Sequence, residues 1–88
     1  MNIEKFDLNL LVCFDTLIRE RNVSRAALEL NISQPAMSNS LKRLRSLLDD
    51  PLFVRTTKGM EPTERALELE PLIRQSLSYA EAALSPMD

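Results

Sequence analysis

The stretch from Ser33 to Arg45 constrains the fold of this chain more than any other part of the sequence, and it reads SQPAMSNSLKRLR. Ser33 suits the N-cap of a helix, and Pro35 suits the first turn, where its missing N–H leaves no intrahelical bond unmade. Apolar side chains then recur at helical spacing, at Met37, Leu41, Leu44 and Leu48. This pattern predicts a helix that begins after Ser33, buries one side and runs to about Leu48.

The other side of this predicted helix is polar. Six polar side chains share it, and they are Gln34, Ser38, Asn39, Lys42, Arg43 and Arg45. Amides and hydroxyls come first, and positive charges follow toward the end. Such a face suits the major groove of DNA, because amides and hydroxyls read base edges while Lys and Arg bind phosphates. The stretch therefore predicts a DNA-reading helix, with Lys42 to Arg45 holding the DNA backbone.

The charge of the chain is unevenly distributed. The whole sequence has 88 residues and a net charge of −2, which argues against a generic DNA-binding protein. Residues 19–58, however, carry eight bases and four acids, a net charge of +4, between two acidic ends. A basic middle segment fits a protein that neutralises phosphates with one face only. The same charges also fit helix surfaces that are simply solvated, and the counts alone leave both interpretations open.

The composition disfavours several other classes of protein. The chain contains no histidine, one cysteine and one glycine. We therefore expect no internal disulfide, no metal, no cofactor and no enzymatic activity. Because no apolar run approaches the roughly 18 residues of a membrane span, and no signal peptide is evident, we expect a cytoplasmic protein without membrane contact. Cys13 lies in an apolar run, which predicts a small buried side chain rather than a reactive thiol.

Two further helices are predicted before the central one. The first covers Asp7–Arg21, capped by its first residue, and its wide apolar stripe predicts burial on most sides. Ser24 is expected to cap a second helix, Arg25–Leu30, which ends at a short polar turn. Residues 24–48 thus predict a helix-turn-helix, although a plain helical hairpin is an alternative at this point.

A short hairpin is predicted after the central helix. Pro51 disfavours a helical conformation for the residue before it, so the central helix ends near Asp49. Residues 52–62 then contain two runs with strand composition, separated by the turn Thr57-Lys58-Gly59. Behind a helix-turn-helix such a hairpin is a wing, and its polar side chains would reach the DNA backbone or the minor groove: Arg55, Thr56 and Lys58. A surface salt bridge is the alternative for Arg55.

The last helix is predicted to begin after its cap, Thr63, and to pair with another helix. A heptad pattern runs through this helix at Ala66, Leu69, Ile73, Ser76, Ala80 and Ala83, and Leu72, Leu77 and Leu84 widen it. The residues predicted to form the dimer interface are Ala66, Leu69, Ile73, Leu77 and Ala80. A second copy of the chain is the simplest partner, and the alternative is that the helix folds back on its own domain. Pro71 predicts a kink, and residues 85–88 predict a frayed end.

Several motifs together resemble the N-terminal domain of LysR-type transcriptional regulators. They cover nearly the whole chain with intact spacing: DLNLL at 7–11, SRAA at 24–27, SQPAMS at 33–38, LKRLR at 41–45, DPLFVR at 50–55 and PT at 62–63. The sequence looks most similar to the branch that contains nodulation and aromatic-catabolism regulators.

This resemblance implies a mainly α fold with a small β-hairpin: a winged helix-turn-helix at 1–62, followed by a long linker helix at 63–88. It also implies sequence-specific binding to double-stranded DNA by a dimer whose linker helices pair antiparallel, on an interrupted inverted repeat near a promoter. The family's C-terminal effector-binding domain is absent from these 88 residues. A small-molecule effector would therefore act only through that missing domain.

The resemblance also implies roles for individual residues. The base-reading positions are Gln34, Pro35, Ser38 and Asn39. The phosphate contacts are Ser33, Lys42, Arg43 and Thr56, and the wing residue is Arg55. Many members carry an arginine or another long side chain where Asn39 stands. Because Asn pairs with adenine and Arg prefers guanine, the base preference is expected to differ here.

A protein-interaction module is the competing hypothesis. In it the helical hairpin is purely structural, and the last helix docks on another protein or sequesters a related regulator as a mixed dimer. The acidic C-terminal third and the net charge of −2 favour this alternative.

Overall fold

A computed structural model describes residues 1–86, which form a mainly α fold with one two-stranded antiparallel sheet. The elements in chain order are a 3-10 helix at Ile3–Lys5, α1 at Asn9–Glu20, α2 at Val23–Leu30, α3 at Gln34–Leu48, β1 at Phe53–Thr56, β2 at Gly59–Pro62 and α4 at Glu64–Leu84. This order confirms the predicted fold class. Of the predicted frayed end, residues 87 and 88 lie outside the described part of the chain.

α1 lies at the centre of the hydrophobic core. Its buried residues are Leu10, Cys13, Phe14, Thr16, Leu17 and Ile18, which confirms the expected burial of the cysteine. Met37 and Leu44 of α3 are also fully buried. The ring of Phe14 lies 6.0 Å from the ring of Phe53 in β1, measured between centroids. Since burying one such side chain stabilises a fold by about 1.5–3 kcal/mol, Phe53 attaches the hairpin firmly to the helices.

α1 begins two residues later than predicted. Leu8 occupies its N-cap without a side-chain hydrogen bond, and Asn9 is its first residue. Asp7 instead accepts the N–H of Asn9 at its Oδ1 atom, at 3.0 Å, so its carboxylate shapes the turn that precedes the helix. The helix ends at Glu20, and Arg21 follows with left-handed backbone and φ 52°.

α2 begins earlier than predicted, because its cap is Asn22 and not Ser24. Oδ1 of Asn22 accepts the N–H of Arg25 at 2.8 Å. Both residue types can cap a helix, but Asn22 has the extended backbone that an N-cap requires, with φ −157°. Ser24 therefore lies inside the first turn of α2, where its hydroxyl can bond elsewhere.

α3 has both of its predicted ends. Oγ of Ser33 accepts the N–H of Ala36 at 3.2 Å, which confirms the predicted cap. The helix ends at Leu48, and Asp49 follows in left-handed conformation with φ 51°. The predicted apolar stripe is buried at Met37, Leu41 and Leu44.

The hairpin is tighter than predicted. Arg55 pairs with Met60 and Thr56 pairs with Gly59, so only Thr57 and Lys58 form the loop. Gly59 has φ 108°, a conformation that side chains disfavour. The glycine predicted in the turn is thus the first residue of β2.

Leu52 differs from its predicted place at the start of a strand. It has left-handed backbone with φ 63°, and its side chain is fully buried. The N–H of Phe53 donates to the carbonyl of Pro51 at 2.7 Å, which makes a γ-turn around Leu52. A left-handed residue other than glycine costs about 1–2 kcal/mol, and burial of the leucine side chain offsets a cost of this size.

α4 is one helix that continues through Pro71 and packs on α1 and β2. Ala66 and Ile73 are buried in the core, and Leu69 and Leu77 pack against it as half-buried residues. Of the five residues predicted to form the dimer interface, only Ala80 is exposed. The structure therefore corrects the expectation for this stripe, because the chain's own helices cover most of it. No helix within residues 1–86 is long and apolar enough to cross a membrane.

Candidate nucleic-acid interface

The polar side of α3 is accessible to a ligand. All residues predicted to contact DNA from this helix and its cap are exposed: Ser33, Gln34, Pro35, Ser38, Asn39, Lys42 and Arg43. The opposite side of the helix is buried in the core. A helix held in this way presents its polar side chains at fixed spacing, which recognition of base edges requires.

The first turn of α3 is tied to α2. Oγ of Ser24 donates to Oε1 of Gln34 at 2.9 Å, so a hydroxyl holds the amide of a predicted base-reading residue. The amide nitrogen of Gln34 keeps its protons for an acceptor on a base edge. Ser33 accepts a backbone N–H as the helix cap and keeps its own hydroxyl proton as a donor for a phosphate.

The wing lies beside the first half of α3. Arg55 lines a groove of about 310 Å³ together with Gln34 and Ser24. It also lines a second groove, of about 210 Å³, together with Ser38 and Arg45. The structure therefore brings the predicted wing residue and two of the predicted base-reading residues to one part of the surface.

Arg43 lies on a different flank of α3. Its Nη1 is 3.3 Å from Oδ2 of Asp7, and both residues line a groove with Lys5, Ser46 and Leu47. Arg43 thus faces the N-terminal segment instead of the wing. An exposed ion pair of this kind contributes at most about 1 kcal/mol, so a phosphate can compete with Asp7 for the guanidinium.

Arg45 has a structural role that differs from the expected contact with the DNA backbone. Its Nε donates to the carbonyl of Pro51 at 2.7 Å, and its Nη2 donates to the carbonyl of Phe53 at 3.1 Å. Pro51 lies in the segment that joins α3 to β1, and Phe53 is the first residue of β1. The guanidinium is therefore bound to the chain itself.

Thr56 shapes the tip of the wing. Its Oγ1 donates to the carbonyl of Gly59 at 3.3 Å and accepts the N–H of Lys58 at 3.1 Å. To donate to a phosphate, the hydroxyl would have to give up its bond to Gly59. Arg55 and Lys58 are exposed and are the cations that the wing presents.

Ion pairs separate two groups of basic residues. Within residues 1–86 the arginines that form ion pairs are Arg19, Arg25, Arg43, Arg65 and Arg74. Six basic residues form none with the described carboxylates: Lys5, Arg21, Lys42, Arg45, Arg55 and Lys58. Arg21 and Arg45 donate to backbone carbonyls instead, and Lys5 lies in the N-terminal segment, which leaves Lys42, Arg55 and Lys58. These three cations lie on α3 or on the wing, where phosphates can bind them without breaking an existing pair. Three cations of the basic middle segment are therefore accessible to phosphates.

Arg19 belongs to the basic middle segment, but its charge is used within the chain, where it joins α1 to α2. Its Nη1 is 2.8 Å from Oε1 of Glu29, and its Nε is 3.4 Å from Oδ2 of Asp15. The hydrogen bond from Arg19 lowers the pKa of Glu29, and the same bond raises the pKa of Arg19. This arginine therefore serves helix packing.

Three residues near the interface were missed or assigned another role at the sequence level. Arg21 and Asn22 line the larger groove beside Arg55, and Ser24 holds Gln34. The spacing of Asn22 and Arg25 suits an N-cap, and this signal identifies the true start of α2. The contact between Ser24 and Gln34 joins residues ten positions apart, and no local pattern indicates it.

Comparison with known families shows where this fold belongs. The family described as "Bacterial regulatory helix-turn-helix protein, lysR family" matches residues 8–67, from the turn before α1 through the wing to the start of α4. The chain belongs to the lysR family. This result confirms the resemblance seen in the sequence motifs.

Curated relatives agree with this membership. The chain is 50% identical over 88 residues to the HTH-type transcriptional activator NagR of a Ralstonia species. The match covers 100% of this chain and 29% of that protein. It is 44% identical over 88 residues to nodulation protein D 3 of Rhizobium leguminosarum bv. phaseoli, again with 100% and 29% coverage. The chain thus spans less than a third of the length of these relatives. The similarity to a nodulation protein agrees with the predicted branch of the family, which contains nodulation regulators.

Solved structures share the fold of this LysR-family chain. A probable transcriptional regulator of Pseudomonas aeruginosa superposes with a TM-score of 0.88 at 46% identity, over 94% of this chain and 28% of that chain. Vibrio fischeri DarR, solved in complex with DNA, superposes with a TM-score of 0.81 at 26% identity, over 91% of this chain and 27% of that chain. The chain is a DNA-binding helix-turn-helix of the transcription-regulator type. Because the family consists of regulators, the prediction that the chain is not an enzyme is confirmed.

Proposed function

We propose that this LysR-family chain binds double-stranded DNA sequence-specifically as a homodimer, on an interrupted inverted repeat near a promoter. In this proposal bases are read in the major groove by Gln34, Pro35, Ser38 and Asn39. Phosphates are bound by Ser33, Lys42, Arg43 and Thr56. The wing contributes Arg55, which reaches the DNA backbone or the minor groove.

The observation that carries this proposal is the surface shared by the first half of α3 and the wing. Gln34 and Ser38 lie along two grooves that share Arg55 as a lining residue, and Lys42 and Lys58 lie outside all ion pairs among residues 1–86. Ser24 and Gln34 line one groove with Arg55, and Ser38 and Arg45 line the other with it. Polar, positively charged surfaces are typical of nucleic-acid interfaces, whereas the centre of a protein-docking patch is apolar.

The homodimer is proposed on the exposed side of α4. A partner helix would meet the stripe Leu72, Ser76, Tyr79 and Ala83, which has heptad spacing. Leu72 is 62% exposed and Tyr79 is 78% exposed, so pairing would remove large apolar side chains from water. We name Leu72, Ser76, Tyr79 and Ala83 the outer stripe of α4. Ala80, which the sequence also predicts in the dimer interface, lies beside this stripe and is exposed as well.

The proposal divides the chain into a winged helix-turn-helix at 1–62 and a linker helix from 63 onward. The relatives are more than three times as long as the region that they share with this chain. Binding of a small-molecule effector is therefore proposed for a part of the protein outside the shared region.

Selection of bound duplexes from a random pool tests the proposal. The chain should enrich two inverted half-sites whose centres lie about one helical turn, roughly 10 base pairs, or a multiple of it apart. Affinity for the selected duplex should fall steeply with salt, because each phosphate contact releases counterions. A folded chain that binds no duplex at low salt would exclude DNA binding and support the protein-interaction alternative. Binding without an enriched motif would exclude sequence specificity.

Two charge-matched variants separate specific phosphate contacts from overall charge. Lys42→Ala should reduce the slope of log affinity against log salt by about 1. Arg74→Ala removes the same charge from α4, where Arg74 pairs with Glu70, and should leave the slope unchanged. Equal effects of the two variants would show that net charge, and not the surface of α3, determines binding.

A further inference from the structure

The segment that joins α3 to the wing, residues 50–53, is held by a side chain of α3. We name this segment the joint. The fork of the Arg45 guanidinium donates to two of its carbonyls, those of Pro51 at 2.7 Å and Phe53 at 3.1 Å. Between these carbonyls lies Leu52, with φ 63°. Since a leucine keeps this conformation only when its surroundings enforce it, the guanidinium helps to fix the turn.

Asp50, the first residue of the joint, accepts two further hydrogen bonds there. Its Oδ2 accepts the N–H of Leu52 at 2.8 Å and the hydroxyl of Thr63, also at 2.8 Å. The N–H of Thr63 in turn donates to the carbonyl of Leu52 at 2.8 Å. Leu52 precedes β1 and Thr63 follows β2, so the two ends of the hairpin are fastened to each other and to the end of α3.

These contacts act at the base of the wing, together with the buried ring of Phe53. A two-stranded hairpin with four-residue strands is marginal by itself, so its direction depends on how its base is attached. Arg55 lies two residues beyond Phe53, which is about 7 Å along a strand. A rotation at the joint would therefore move Arg55 away from the grooves that it shares with Gln34 and Ser38.

We propose that Arg45 and Asp50 are positioning residues for DNA binding, which place Arg55 relative to α3 without contacting DNA. The inference rests on the proposed function, because Arg55 matters only if the wing touches DNA. It assigns Arg45 a role other than the phosphate contact that its place on the polar side of α3 indicates. It also gives an acidic residue a favourable role in binding a polyanion.

The sign of the effect distinguishes positioning from electrostatics. Asp50→Asn removes a negative charge, so electrostatics alone predicts equal or tighter DNA binding. Positioning predicts weaker binding, because the charge-assisted bonds to Leu52 and Thr63 are weakened. Arg45→Lys keeps the positive charge but loses the planar fork that reaches two carbonyls. A phosphate contact by Arg45 would largely survive this change, whereas the hold on the joint would not.

A double-mutant cycle with Arg55→Ala tests the proposal on the duplex recovered by selection. Arg45→Lys and Asp50→Asn should each weaken binding about ten-fold in the otherwise native chain. In the Arg55→Ala background each should weaken binding less than about two-fold. The contact between Arg55 and DNA is already lost in that background, so a change in the position of the wing has no such contact left to disturb. Additive losses in both backgrounds would overturn the proposal, and so would an Asp50→Asn chain that binds as tightly as the native one.

Matched controls come from an ion pair on α4. Arg74→Lys and Glu70→Gln make the same chemical changes away from the wing and should leave binding within about two-fold of native. Circular dichroism at the assay temperature establishes that each variant compared is folded. If the native chain binds no duplex, the proposed function fails. If it binds while the cycle is additive, only the role of Arg45 and Asp50 fails.

Discussion

Asn39 and Lys42 lie three residues apart on the exposed side of α3, and their side chains suit different parts of DNA. The amide of Asn39 carries one acceptor and two donor protons on one plane, so it can match the edge of a single base. The ammonium of Lys42 is a point charge on a flexible stem, which suits any phosphate. Substitutions at the two positions should therefore change different properties of binding.

Asn39→Ala should reduce the preference for particular bases at one or two positions of the site, by about 1–3 kcal/mol. Lys42→Ala should weaken binding to every duplex by the same factor. Competition with duplexes that differ from the selected one at single base pairs measures this. Ser46→Ala, which lies on the flank of α3 with Arg43, is the control and should leave the preference unchanged. A uniform loss on all duplexes for Asn39→Ala would instead assign Asn39 to the DNA backbone.

Glu29 adds a pH dependence to folding. The hydrogen bond from Arg19 lowers the pKa of Glu29 in the folded chain. The folded state therefore binds this proton less readily than the unfolded state. The stabilisation is fully present above the ordinary pKa of a glutamate and is lost as the pH falls through the lowered pKa.

Glu29→Gln should reduce the free energy of unfolding at pH 7 by a small amount, since the pair is exposed. The difference from the native chain should disappear in acid, where Glu29 is protonated. Urea unfolding at neutral and acidic pH measures both values, with Glu81→Gln on α4 as the control. A difference of constant size at every pH would show that Arg19 does not stabilise the charged form.

At the scale of elements, the start of α4 and the base of the wing depend on the same hydroxyl. Oγ1 of Thr63 accepts the N–H of Ala66 at 3.2 Å as the helix cap, and it donates to Oδ2 of Asp50. The cap of the long helix is thus also a contact to the end of α3. A change at this residue should affect two elements together.

Thr63→Val should lower the free energy of unfolding by about 1–2 kcal/mol, because it removes the cap and leaves Asp50 with one donor fewer. Thr63→Ser keeps the hydroxyl and should cost clearly less. Urea denaturation of the three chains measures the order of stabilities. Equal stability of the valine and serine variants would mean that neither hydrogen bond contributes.

Local signals were sufficient for some elements and not for others. The cap at Ser33 and the end at Leu48 were predicted correctly, because cap, proline and apolar stripe act within a few residues. The start of α2 was misplaced, since Asn22 and Ser24 both offer capping oxygens and only the backbone conformation decides between them. Leu52 was predicted as strand, because its left-handed conformation depends on contacts with residues up to 11 positions away.

The same distinction applies to the interface. Periodicity was sufficient to predict which side of α3 is exposed. It could not show that Arg45, on that same side, bonds to carbonyls six and eight residues further along the chain. The base contacts assigned to Gln34 and Asn39 remain predictions that DNA binding must test.

At the scale of the whole molecule, α4 carries two apolar stripes with different partners. Ala66 and Ile73 are buried in the chain's own core, whereas Leu72 and Tyr79 of the outer stripe are exposed. The heptad pattern in the sequence predicts a single interface, because periodicity shows that apolar residues share a side of the helix but not what covers that side. Only the packing against α1 separates the two stripes.

Leu72→Glu should convert the proposed dimer to a monomer, with a dissociation constant raised about ten-fold or more. Affinity for the selected inverted repeat should fall, while affinity for a duplex with one half-site should stay unchanged. Sedimentation equilibrium and titrations of the two duplexes measure this. Leu67→Glu places the same charge outside the outer stripe and is the control. A Leu72→Glu chain that stays dimeric would remove the outer stripe from the proposed interface.

The left-handed residues at the helix ends have a consequence for engineering this domain. The sequence contains one glycine, yet α1 and α3 are each followed by a left-handed residue, Arg21 and Asp49, with φ 52° and 51°. Glycine relieves such a position, by about 1 kcal/mol where no side-chain contact is lost. Asp49 follows the last turn of α3, far along the helix from Gln34. Thermal tolerance of the domain can therefore be raised by Asp49→Gly without changing the residues that are proposed to read DNA.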